Sequence, residues 1–241
     1  MLLDATLALL YPQSCAVCGA SVESRFDGVA CARCWKATRV LSGDDRLCWK
    51  CGTLAPVTVV NDDNSELVRC HRCDEAAFTT ARACGLYEGA LRVSIIALKR
   101  EPHVSRRLAL LMFEACRREP LSSATRIVPV PLHPEREKQR GFNQAALLAQ
   151  ALSKLVQLPV DDHSLVRAEH TGRHRAGMDA QARRESVVNA FAVVHPRIIA
   201  GEHILLVDDV FTTGATASAC AAALKEAGAV QVLVLTLARP V

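Results

Sequence analysis

The sequence contains no apolar run long enough to cross a membrane. Its longest early stretch, Leu2 to Tyr11, is broken by Asp4 and has no basic residue before it, which argues against both a spanning helix and the usual export signal. The expectation is a cytoplasmic protein that does not insert into a membrane. A Gly-Lys-Ser/Thr phosphate loop is missing, and so is the glycine fingerprint of dinucleotide binders; neither of those nucleotide cradles can operate here. Low-complexity tracts are absent too.

Cysteine, by contrast, is abundant. Eight of the eleven form four CxxC pairs, Cys15 with Cys18, Cys31 with Cys34, Cys48 with Cys51 and Cys70 with Cys73, separated by 12, 13 and 18 residues. Without an export signal such pairs are metal ligands or redox centres more often than disulfides. A thioredoxin-like centre expects a single pair at a helix start after a strand, which is not this pattern. A two-residue spacer lets both sulfurs turn toward one ion about 2.3 Å away, and two pairs close a four-thiolate zinc site. Eight thiolates therefore predict two structural zinc ions. Gly19 and Gly52 directly follow two of the pairs, where a knuckle turns tightly. Consecutive pairing would make a double ribbon and interleaved pairing a cross-brace, the ribbon being favoured. If the module touches nucleic acid, the contacts would come from Trp35, Trp49, Arg33, Lys36, Lys50 and Arg72.

Cysteine usage also divides the chain. Residues 1–75 are turn-rich and poor in apolar runs, whereas residues 76–241 alternate short apolar segments with helical patterns. A chain of 241 residues, half of them apolar, can bury one full-sized core and carry a small satellite. Strands are expected at Ile127–Pro131, Ala190–Val194, Ile204–Val207 and Val232–Leu237. Helix faces are expected from Leu108, Leu111, Met112 and Ala115, from Leu148, Leu152 and Leu155, and from Ala217, Cys220, Ala221 and Leu224. Such alternation predicts an α/β domain with a parallel sheet. Gly228 suits the end of the last helix. The lone Cys84, Cys116 and Cys220 sit in apolar patterns and are expected to be packed.

The net charge is +4, yet from Lys99 to Arg140 ten Lys or Arg face five Asp or Glu. That excess suits an anionic partner, either a small phosphate compound or nucleic acid. Lys99 and Arg100 end a helical segment, where cations complement the helix dipole; contact with a ligand is the other reading.

The most informative string follows the apolar run Ile204–Val207: Asp208-Asp209-Val210-Phe211-Thr212-Thr213-Gly214-Ala215-Thr216. A strand that ends abruptly before a helix presents backbone amides at the helix N-terminus, where a phosphate can nest with help from the threonine hydroxyls. The two carboxylates repel that phosphate and must serve another part of the same ligand. Pentose hydroxyls fit. A helix-capping role for Asp209 or Thr213 explains one residue but not the string.

This string resembles the phosphoribosyl pyrophosphate signature of type I phosphoribosyltransferases. Together with Val128 to His133, Arg140-Gly141-Phe142-Asn143-Gln144, the stretch Thr171 to Gln181, Arg184, Asn189 and the cysteine pairs, it makes the whole chain similar to the ComF family. The resemblance implies a type I phosphoribosyltransferase fold behind a small zinc-ribbon module. It implies that Asp208 and Asp209 hold the ribose hydroxyls, and that Thr212, Thr213, Gly214, Ala215 and Thr216 hold the 5-phosphate. Pro131, Leu132 and His133 would form a pyrophosphate loop, with Arg136, Lys138 and Arg140 offsetting the charge of pyrophosphate bridged by magnesium. Arg173 and Arg175 would be anion contacts on a flap spanning Arg167 to Gln181. The implied ligand is phosphoribosyl pyrophosphate or a related nucleotide, and the implied role lies in uptake of transforming DNA. A non-catalytic protein that senses nucleotides or binds single-stranded DNA beside a competence helicase is the competing expectation. No motif identifies an acceptor base or a general base.

Overall fold

A computed structural model of the chain describes residues 13–54, 70, 73–167 and 190–240. The cysteine-rich part contributes the short helix α1 (Ala32–Ala37). There follow β1 (Thr80–Leu86), α2 (Gly89–Leu98), α3 (Arg106–Cys116), β2 (Arg126–Pro129), α4 (Pro134–Arg140) and α5 (Gln144–Val156). The chain ends with β3 (Leu165–Arg167), β4 (Phe191–Val193), α6 (Pro196–Ile199), β5 (His203–Val210), α7 (Ala215–Glu226) and β6 (Gln231–Arg239).

Four strands form a parallel sheet in the order β1-β6-β5-β2, the α/β arrangement that the alternating pattern predicts. Ile204, Leu205, Leu206 and Val207 are fully buried at its centre. A parallel strand covered on both faces reads as a continuous apolar run; each such side chain contributes about 1.5–3 kcal/mol on burial. One face packs Leu91, Leu108, Met112, Leu148 and Leu152 from α2, α3 and α5. The opposite face packs Ala217, Cys220, Ala221 and Leu224 from α7, with Phe191 and the cysteines Cys48, Cys51 and Cys73. Cys84, Cys116 and Cys220 are buried as expected.

Local chemistry sets the helix ends. Ser105 accepts from the Leu108 N–H at 3.4 Å to start α3, and Asn143 accepts from the Ala145 N–H at 3.0 Å to start α5; both are ordinary N-caps. α7 closes as the sequence suggests. Gly228 has φ +94°, its N–H donates to Lys225 O, and the Ala229 N–H reaches back to Leu224 O. That bond pair is a Schellman closure.

Three expectations need correction. Residues 191–193 do form a strand, but it pairs antiparallel with β3 outside the main sheet. It is short and has one buried residue of three, so it lacks the apolar run a central parallel strand requires. Leu155 is 39% exposed near the end of α5 and does not join Leu148 and Leu152 in the core. β1 is an unanticipated strand, because Thr-Ala-Arg-Ala-Cys-Gly-Leu is short of β-branched and aromatic residues. Its pairing with β6 and burial of nearly every side chain override that weak preference.

The open edge of β1 is occupied by the cysteine-rich segment. Leu41 N–H donates to Cys84 O, Leu86 N–H to Arg39 O, and Ala81 N–H to Lys50 O at 2.6 Å. Val40 bridges Gly85, where a Cβ would stand 2.6 Å from Arg39 O. An exposed edge strand invites foreign pairing, and here the chain covers its own.

Candidate functional site

The eight paired cysteines gather into two groups, Cys15, Cys18, Cys31 and Cys34, and Cys48, Cys51, Cys70 and Cys73; within each, the sulfurs all lie within 4.8 Å of one another. Pairing is therefore consecutive, as in a double ribbon. Sulfurs about 2.3 Å from a tetrahedral zinc stand about 3.8 Å from each other. Cys18 and Cys31 are 3.7 Å apart, Cys48 and Cys73 3.7 Å, and Cys51 and Cys70 3.3 Å, so the donors fit that ion with little adjustment. None of the eleven cysteines is in a disulfide.

Backbone donors already favour thiolates. Burial opposes ionisation of Cys15, yet the N–H groups of Cys31, Cys18 and Val17 outweigh it and bring the thiol down to about 6. Cys48 is likewise brought to about 6, against burial, by the N–H groups of Cys51, Cys70 and Lys50. Their partners cannot also ionise unaided. Burial, then hydrogen bonds to Cys18, Cys31 and Cys15, push Cys34 up to about 12, and burial raises Cys73 far above its ordinary value. A dication would resolve that conflict. Gly19 and Gly52 have φ +75° and +68°, and their N–H groups close the knuckles on Cys15 O and Cys48 O.

Contact candidates for nucleic acid separate by burial. Arg33 and Lys36 are exposed and Trp49 is half-buried. Trp35 is buried, its Nε1 donating to Asp27 O, and Arg107 covers its ring; no base can stack there. Lys50 is buried with Nζ on Asp74 O at 3.0 Å. Arg72 lies outside the described residues.

The second candidate centre is the carboxyl end of β5. Asp208 and Asp209 close the strand, and Asp208 accepts from the Asp209 N–H at 2.8 Å. Burial and then the Asp209 charge push Asp208 up to about 7. Asp208 lies on the same face of β5 as Ile204 and Leu206, which pack toward α7, and burial, then the Asp208 charge, raise the Cys220 thiol there. Asp209 is paired instead with Lys99, Nζ to Oδ2 3.1 Å. Thr212, Thr213, Ala215 and Thr216 are exposed around the N-terminus of α7. No acidic residue occupies the first turn of α7, and Gly214, at φ +80°, supplies no side-chain cap. Thr213 Oγ1 accepts from the Ala215 N–H at 3.4 Å, a weak form of the capping alternative. The positive end of this 12-residue helix remains available to an anion.

Strand register brings a second loop to this edge. β2 lies beside β5 with Pro129 opposite Val207, so Pro131, Leu132 and His133 emerge next to the two aspartates. Asn143 Nδ2 anchors the loop through Val130 O at 3.0 Å. The His133 side chain caps α4, Nδ1 accepting from the Glu135 N–H at 3.3 Å. Arg136 and Lys138 are exposed on α4, and Arg140 is half-buried at its end. Gln144, first in α5, is buried with Nε2 unpartnered among the described residues. Arg173 and Arg175 lie outside the described residues. Sequence reasoning left Lys99 at a helix end, and nothing local marks it as the partner of Asp209.

Comparison with known proteins gives three findings. Residues 6–74 match the model of the double zinc ribbon domain. The chain is 36% identical over 137 residues to competence protein F of Haemophilus influenzae, covering 56% of this chain and 59% of that protein. It is 32% identical over 239 residues to the DNA utilization protein YhgH of Escherichia coli O157:H7, covering 96% and 99%. Among solved structures, a B. subtilis glutamine phosphoribosylpyrophosphate (PRPP) amidotransferase complexed with ADP and GMP matches at 18% identity and TM-score 0.39, over 61% of this chain and 26% of that one.

Proposed function

Given that the chain belongs to the ComF family, we propose that the carboxyl edge of its sheet binds phosphoribosyl pyrophosphate and that the protein serves the uptake or use of DNA. The observation that carries this reading is the juxtaposition at one strand end of two carboxylates and a helix N-terminus free of acidic side chains. Asp208 and Asp209 would accept the ribose hydroxyls, and the amides and hydroxyls from Thr212 to Thr216 would hold the 5-phosphate. Lys99 orients Asp209 for that task. Burial and the Asp209 charge push Asp208 up to about 7, and hydroxyl donors would favour its ionised form.

Pro131, Leu132 and His133 would line the pyrophosphate, with Arg136, Lys138 and Arg140 supplying positive charge and Arg173 and Arg175 closing over it. Magnesium would enter with the pyrophosphate and offset part of its charge. Held in this way, the anomeric carbon is set for transfer through an oxocarbenium-like centre to an acceptor. Under this reading residues 1–75 form the zinc module and residues 76–241 the phosphoribosyl domain of a cytoplasmic protein.

Two relatives carry names of competence and DNA utilization, and exposed Arg33 and Lys36 on α1 support contact with single-stranded DNA; a competence helicase would be the protein partner in that role. Calorimetry with phosphoribosyl pyrophosphate, followed by pyrophosphate release across a panel of bases, tests the proposal. Binding lost in Asp208→Asn with Asp209→Asn, and release requiring one base, would establish a transferase. Tight DNA binding without any affinity for the small ligand would sink the ligand assignment.

A further inference from the structure

Two zinc groups in one small module need not do the same work. The first packs Cys15, Cys31 and Cys34 with Trp35, Leu91 and Leu108, on the face of α2 and α3. The second packs Cys48, Cys51 and Cys73 with Phe78, Phe211 and Ala217, on the face of α7. Phe211 belongs to the loop that carries the threonines. Its ring meets Phe78 edge-on at 5.8 Å, and a Cβ built on Gly214 would stand 2.7 Å from its Cζ. The ring is thus the floor on which the loop turns into α7.

Behind the ring lies Arg239, the last residue of β6, 8% exposed, with its guanidinium 5.5 Å from the Phe211 centroid. Nη1 donates to the carbonyl of Cys51 at 2.6 Å, and Nη2 donates to Thr53 Oγ1. Among the described residues Arg239 has no carboxylate partner. A buried cation held, among the described residues, by neutral acceptors is costly unless their geometry and a nearby negative charge are kept. Four thiolates around a dication carry a net charge of about −2, and Cys51 is one of the four. The guanidinium therefore connects this metal group, 188 residues away in sequence, to the floor of the phosphate loop.

We propose that Arg239 is a positioning residue through which the second zinc site, and not the first, holds the loop Phe211 to Gly214 in its binding shape. The consequence for ligand binding rests on the function proposed above; the coupling itself does not. Zinc at Cys48, Cys51, Cys70 and Cys73 shapes the loop, and by reciprocity a ligand on the loop raises the affinity for that zinc alone.

Arg239→Lys keeps the charge but not the two-pronged donor. In the full chain it should retain two zinc ions by elemental analysis, while hydrogen exchange of amides 211–217 becomes about tenfold faster and that of β5 and α3 is unchanged. Affinity for phosphoribosyl pyrophosphate should fall about tenfold. Phe211→Leu should reproduce this pattern. Cys51→Ser should accelerate exchange in the same amides, and Cys18→Ser, which disturbs the first site, should not. Unchanged loop exchange in Arg239→Lys and Phe211→Leu, acceleration spread over the whole sheet, or equal effects of the two cysteine variants would each overturn the coupling. If Cys51→Ser does not fold, Cys70→Ser, which disturbs the same site without touching the residue that accepts from Arg239, takes its place in the comparison with Cys18→Ser. A wild type without affinity for phosphoribosyl pyrophosphate would refute the ligand reading, and the exchange comparison would still decide whether Arg239 couples zinc to the loop.

Discussion

Lys99 ends α2 with its Nζ 3.1 Å from Oδ2 of Asp209 at the end of β5. The pair joins a helix packed on one face of the sheet to the strand end where the candidate ligand groups gather. It offsets one of two adjacent carboxylates, while burial and then the Asp209 charge push its neighbour Asp208 up to about 7 against the pull of Lys99.

Lys99→Ala should separate the two readings of that cation. The Lys99 side chain is 36% exposed, so its loss should change folding stability by no more than about 1 kcal/mol. Affinity for phosphoribosyl pyrophosphate should drop about tenfold, equivalent to about 1.4 kcal/mol. Calorimetry beside thermal unfolding checks both, and unchanged affinity would return Lys99 to a helix-end role.

Asp208 makes stability depend on pH. Its folded value of about 7 lies above the ordinary 3.8, so the proton it keeps on folding stabilises fully below about pH 4, and that contribution is lost as pH rises through about 7. Asp208→Asn removes this dependence. Its stability relative to wild type should be about 1–3 kcal/mol more favourable at pH 8 than at pH 5, measured by urea unfolding at both. A ligand that requires the ionised carboxylate should also release a proton on binding near pH 6, visible when calorimetry is repeated in buffers of different ionisation enthalpy.

Two zinc ions per chain are expected from elemental analysis of reduced protein, since each cysteine group offers four sulfurs. Changing Cys84, Cys116 and Cys220 to Ala should leave that count at two. Protons compete for thiolates, so acid should release the metal. A count of one or zero at neutral pH would overturn the assignment.

Gly214→Ala should disable the phosphate loop. The residue holds φ +80°, and the added methyl would press on Phe211; a left-handed alanine and a forced ring shift together cost about 1–3 kcal/mol. Phosphoribosyl pyrophosphate affinity should fall more than stability does. Gly141 is the control, because it shares the left-handed conformation at φ +79° but has open space around its Cβ position.

Much of this was legible along the chain because the relevant signals are short-range. Ile204 to Thr216 encodes its own strand, turn and helix start: an unbroken apolar run needs burial on both faces, and small residues let the backbone turn at its end. CxxC spacing likewise brings two sulfurs to one ion without help from the rest of the fold.

By itself, then, the sequence determined the α/β alternation, the eight metal-ligating thiols and the strand-end loop, each of which depends on neighbours a few residues apart. Tertiary structure alone decided that the cysteines pair consecutively, that Thr80–Leu86 is a strand whose edge the zinc module covers, that Trp35 is packed away, and that Asp209 meets Lys99 while Cys51 meets Arg239. Those contacts join residues tens to hundreds of positions apart. No local pattern specifies them, because their free energy arises only when the sheet has formed and the groups left facing one another must be buried and satisfied together.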